Sequence, residues 1–91
     1  MKKNYSLLLN PNHATLIFKC NYRTEYGQTL RIVGNIEELG SWEPSKSVIM
    51  TTDETKYPIW ESTQEITGPI GMEIFYKYVI YDKNNNQYIW E

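Results

Sequence analysis

Apolar and polar residues alternate along most of this chain, at the period of two that marks a strand with one buried face. From Ala14 to Cys20, Leu16, Phe18 and Cys20 share one side. Gln28 to Asn35 repeats the pattern, with Leu30, Ile32 and Gly34 facing one way and Arg31 and Val33 the other. Met72 to Tyr81 is the longest such run: Ile74, Tyr76, Tyr78 and Ile80 lie on one face, and Phe75, Lys77 and Val79 on the other. Shorter β-type runs are Ser47–Thr51, Ile59–Ile66 and Gln87–Glu91, while Tyr5–Leu9 reads either as a first strand or as the end of a linker. Pro58 suits a strand start, where its missing N–H costs least. Asn10–His13, Gly68–Gly71 and Asp82–Asn86 are turns by residue chemistry, the last a hairpin turn. Six or seven short strands without a helical period predict an all-β fold, an antiparallel β-sandwich or a small barrel.

One stretch departs from this rhythm. Gly34-Asn35-Ile36-Glu37-Glu38-Leu39-Gly40-Ser41-Trp42 closes a strand, turns sharply and leaves a tryptophan among Gly, Ser, Glu and Pro. Such a residue either caps the core from a loop or presents its ring to a ligand. Lys77 sits between Phe75 and Val79 on the long strand, and the Asn-rich hairpin returns Trp90 beside it. A lysine flanked by exposed indoles suits a sugar. Pyranose C–H faces rest on the rings, and hydroxyls find donors and acceptors in Lys, Asn or Glu side chains.

Composition narrows the choice of function. The 91 residues fit one domain spanning 1–91, either a whole protein or a piece of a larger one. The net charge of −2 comes without a Lys/Arg block, which argues against nucleic acid and acidic membrane surfaces as partners. Eight tyrosines favour a wet binding surface. Cys20 stands alone and reads as a core residue, and nothing in the sequence ties it to His13 as nucleophile and base. No spacing suggests a metal site or a phosphate loop, and the carboxylates, Glu37-Glu38 included, fall in polar loops or on strand exteriors. The expectation is therefore no catalytic residue, no metal and no cofactor. Asn10-Pro11 breaks the apolar Leu7-Leu8-Leu9, so no secretory signal is read, and no run is long enough to span a bilayer. A reducing, cytoplasmic setting is the matching expectation.

The Gly34–Trp42 motif, then Tyr57-Pro58-Ile59-Trp60, Phe75-Tyr76-Lys77-Tyr78-Val79 and Trp90-Glu91, follow the order typical of starch-binding domains. From about Ala14 to Glu91 the chain resembles a family 20 carbohydrate-binding module. The resemblance implies an immunoglobulin-like β-sandwich that binds α-1,4-glucan or maltooligosaccharide without catalysis, attached to a catalytic domain in the same parent chain. Glucanotransferases, amylases, glucan dikinases and phosphatases are the candidate parents. It further implies a first site at Trp42, Lys77 and Trp90, with Glu91 assisting, and a second at Tyr26 and Tyr57. Trp60, also at a characteristic position, reads as mainly core. Family members usually continue beyond the Trp-Glu pair to a final strand, and Tyr5–Leu9 is the candidate to cover the edge such a strand would occupy. The rival reading is a protein-interaction sandwich whose indoles bury against a partner or neighbouring domain, which requires a broad apolar patch around Trp42 and Trp90.

Overall fold

In the computed structural model, which describes residues 5–90, these runs form seven strands. They are β1 (Tyr5–Leu8), β2 (His13–Asn21), β3 (Gln28–Gly34), β4 (Val48–Ile49), β5 (Ile59–Thr67), β6 (Glu73–Asp82) and β7 (Gln87–Trp90). Every pairing is antiparallel. The larger sheet runs β1-β6-β3-β4, with β7 also on β6, and the smaller sheet is β2 with β5. The result is an antiparallel β-sandwich.

Strand β6 is the axis of the larger sheet. One flank pairs with β3 from Tyr76 to Asp82, and the other is shared by β1, along residues 73–76, and β7, along 79–82. Alternation then sorts the side chains. Leu30 and Ile32 of β3 and Ile74, Tyr78 and Ile80 of β6 face inward, against Phe18 of β2 and Trp60 and Ile66 of β5. Trp60 is core, and its indole N–H donates to the Tyr22 carbonyl at 3.0 Å. Cys20 is half-buried against the same core.

Element ends differ from the expected ones in physically readable ways. The expected Ser47–Thr51 strand shrinks to two residues, because Ser47 folds back to donate from its hydroxyl and its N–H to the Pro44 carbonyl. The expectation that all carboxylates lie in loops or on exteriors fails at Asp82, which is buried. Its Oδ1 accepts from the Asn84 N–H at 3.0 Å and its Oδ2 from the Asn85 side-chain amide at 2.9 Å, so the acid builds the β6–β7 hairpin.

The exit from β3 is fastened by Asn35. Its backbone N–H donates to the Phe75 carbonyl at 3.0 Å, its Oδ1 accepts from the Phe75 N–H at 2.9 Å, and its amide donates to the Glu73 carbonyl at 3.2 Å. Asn35→Ala removes the two side-chain bonds and strands a ladder N–H. A loss of about 1–2 kcal/mol is expected in urea unfolding, with an unchanged m-value.

Candidate functional site

The face of the larger sheet turned away from the smaller one is not simply a solvated surface. Val33 and Val79 lie there by alternation, yet both are fully buried and stand outside the sandwich core. The register sets Val33 across from Lys77 and Val79 across from Trp90. Two small apolar side chains thus floor a shelf on which Lys77 and Trp90, both half-buried, meet. The Lys77 ammonium stands 5.7 Å from the centre of the Trp90 ring. A cation over an indole face is attracted by the ring, which favours this placement of both groups.

Trp42 is delivered by a different device. Glu37–Trp42 forms two 3-10 turns joined across a kink at Leu39–Ser41, where a plain turn was expected. Leu39 points into the core and is completely buried, whereas Trp42 keeps 38% of its surface exposed. Three residues in left-handed conformation separate the two directions: Gly40 (φ 83°), Ser41 (φ 49°) and Trp42 itself (φ 65°). Glycine adopts that conformation freely, but a bulky residue holds it only when its surroundings insist. The segment leaves β3 at Gly34, whose partner Tyr76 adjoins Lys77. The Glu37–Trp42 segment packs mainly on β3 and less on residues 44–46, β4 and β5, whereas Lys77 and Trp90 are joined through β6 and β7. Ser41→Gly relieves one strained position and should raise stability by about 0.5–1 kcal/mol in thermal unfolding.

Of the second predicted pair, Tyr26 is 97% exposed at the tip of the β2–β3 loop. Tyr57 braces that loop. Its hydroxyl accepts from the Thr24 N–H at 2.7 Å and donates to the Thr24 carbonyl at 3.1 Å, while its ring meets Trp60 edge-on at 6.4 Å. Tyr57 in turn hangs from a tight Asp53–Lys56 turn. The Thr55 hydroxyl, with the Lys56 and Thr55 N–H groups, bonds the Asp53 carboxylate and holds its pKa below the ordinary value. The structure ties Tyr57, through Thr24, to the loop that carries Tyr26, and sets Lys77 directly over Trp90. Glu91, the assisting residue of the first site, lies outside the described residues.

Sequence reasoning missed a third group on the same outer face. The Arg31 guanidinium lies 4.7 Å from the Tyr81 ring centre and 5.6 Å from that of Tyr88. Alternation set Arg31 on the face opposite Leu30 and Ile32, but only the β3–β6 and β6–β7 registers bring it together with Tyr81 and Tyr88.

The exposed Trp42, the half-buried Trp90 with Lys77 over its ring, and tyrosines carried on a β-sandwich make a surface suited to binding a small ligand. The chain belongs to the starch binding domain family, which it matches over residues 13–91. It is 42% identical over 65 residues to an alpha-amylase of Thermomonospora curvata, an overlap of 71% of this chain and 10% of that protein. The fold matches a glycoside hydrolase family 15 glucoamylase from Hypocrea jecorina with a TM-score of 0.77 and 26% identity, over 93% of this chain and 14% of that one. It also matches the family 20 carbohydrate-binding module of a maltotetraose-forming amylase from Pseudomonas saccharophila, with a TM-score of 0.64 and 28% identity, over 86% and 77% of the two chains. A starch binding domain is a binding module and not a catalytic one. The chain spans 10–12% of the length of the curated relatives it matches.

Proposed function

We propose that this domain holds a parent glucan-metabolising enzyme on α-1,4-glucan, with Trp42, Lys77 and Trp90 as the principal site. The observation that carries the reading is the Lys77 ammonium set over the Trp90 ring on an apolar floor of Val33 and Val79. A glucose unit laid on an indole covers its C–H face, and the ammonium is within reach to donate to a hydroxyl. Trp42, raised from its own turn, offers a second ring for the next part of a curved chain. Glu91 is assigned to the same site. Tyr26 and Tyr57 form a second foothold, and two weak sites on one polymer bind far more tightly together than either does alone. Starch, glycogen and cyclodextrins share the required curvature and chemistry.

Trp42 is bordered by the exposed Ser41 and Glu43, and Trp90 by a lysine, so polar groups rim the rings. The test is a titration with β-cyclodextrin followed by tryptophan fluorescence: saturable change supports the reading, and a flat trace in the intact domain defeats it.

A further inference from the structure

A cavity of about 440 Å³ opens on the outer face of the larger sheet beside the Lys77–Trp90 shelf, toward the Gln28 end of β3: Arg31 in its wall pairs with Val79, which pairs in turn with Trp90. Its size falls within the roughly 300–1,000 Å³ that small-ligand clefts occupy. Tyr26, Arg31, Ile49, Tyr81, Lys83 and Asn84 line it, with Gly27, Gln28 and Thr29. No aspartate or glutamate does so, although the chain has 11 acidic and only 9 basic residues. The charge balance of the molecule is locally inverted.

Neither of the two cations is engaged by a carboxylate of the described residues. Among the described residues, neither Arg31 nor Lys83 makes an ion pair, and the buried Arg31 Nε has no hydrogen-bond partner. Tyr81 and Tyr88 hold the guanidinium plane in place, and with Nε buried its terminal nitrogens are the ones left to a ligand. The wall beside it is also fixed, because the Asn84 amide donates to the Tyr26 carbonyl at 3.1 Å and the Gly27 carbonyl accepts from the Lys83 N–H at 3.0 Å. At the rim the Tyr26 ring is almost wholly free. A ring for a sugar face therefore stands next to two cations that no carboxylate neutralises.

We propose that this cavity reads a phosphate monoester carried on an α-glucan, with Tyr26 under the sugar and Arg31 and Lys83 on the phosphate. The inference rests on the glucan reading of the domain and adds a charge preference to its second foothold. Guanidinium groups bond phosphate oxygens in pairs, and an ammonium adds a point charge. Both act at a partly exposed surface, where each charge pair contributes roughly 0–1 kcal/mol; about 1 kcal/mol from the two together makes the preference for the phosphorylated over the neutral chain about fivefold at low salt.

The experiment is a titration of the ¹⁵N-labelled domain by two-dimensional NMR with maltoheptaose, maltoheptaose 6-phosphate and inorganic phosphate. The Gly27, Gln28 and Thr29 amides report on the cavity, and the Trp90 indole N–H reports on the shelf. The cavity amides should saturate about fivefold earlier with the phosphorylated sugar, and the preference should shrink when salt is raised to about 0.3 M. Arg31→Gln and Lys83→Gln should each reduce it; Lys83 is exposed on a hairpin turn, so its replacement leaves the fold intact even if that of Arg31 does not. Equal affinity for the two sugars at the cavity amides would overturn the inference. A preference that survives both substitutions, or inorganic phosphate bound as tightly as the phosphorylated sugar, would do the same. A Trp90 indole that ignores neutral maltoheptaose would instead remove the glucan reading beneath it.

Discussion

Replacing Trp42 and Trp90 together by alanine should abolish the response to β-cyclodextrin while leaving the domain folded. Each indole face that covers ~100 Å² of apolar sugar surface contributes about 2 kcal/mol, or roughly thirtyfold in affinity. The rings stand on separate elements, one on the Glu37–Trp42 turns and one on β7, so their losses should nearly add. The single variants should differ in character. Trp42→Ala removes ring area alone, whereas Trp90→Ala also releases the Lys77 ammonium that the ring holds. Trp60, buried in the core, remains in the double variant as an internal reporter that the fold persists. Isothermal titration calorimetry should show binding weakened in each single variant and undetectable in the double one. Affinity retained within threefold in the double variant would place the glucan elsewhere on the molecule.

The second large effect belongs to Gly40. Its φ of +83° lies where only glycine rests without strain, and a β-carbon added there would stand 2.6 Å from the Lys46 carbonyl oxygen and 2.8 Å from its carbon. Backbone atoms cannot swing aside as a side-chain end can. Gly40→Ala should therefore cost about 3 kcal/mol, which in a domain of this size lowers Tm by more than roughly 10 °C. Binding should suffer as well, because Gly40 separates the inward Leu39 from the outward Trp42. Scanning calorimetry with a parallel cyclodextrin titration checks both parts; a Tm within a few degrees of the parent would mean that the turn accommodates the change by another route.

Much of this architecture was legible in the sequence because strand alternation is a local signal. Ile74, Tyr78 and Ile80 could be placed inward, and Lys77 outward, without knowing what lay across from them. The meeting of Lys77 and Trp90 was also legible, since one Asn-rich turn returns the chain upon itself. Trp42 was recognisable only as a residue out of pattern; its aim depends on three consecutive left-handed residues, two of them non-glycine, which propensity argues against. The burial of Val33 and Val79 on the outer face, the stack of Arg31 on Tyr81 and Tyr88, and the buried role of Asp82 were not legible. Each is a product of register between distant strands or of a turn closing on its own side chains. Tyr57 was identified by position as a ring for sugar, but its hydroxyl bonds to Thr24 became visible only once two loops distant in sequence met.

The strand order also bears on how the domain comes to exist. The β6–β7 hairpin, folded around Asp82, closes a short loop and costs little chain entropy. The smaller sheet must bring His13 opposite Thr67 across most of the chain, the kind of pairing that makes β-sandwiches slow folders. Lys77 and Trp90 are thus neighbours that a nascent hairpin can unite early, whereas the Trp42 loop packs in part on β5, a strand of the late sheet. The elements that carry Lys77 and Trp90 are thus local in sequence, whereas the turns that carry Trp42 lean on contacts of much longer range.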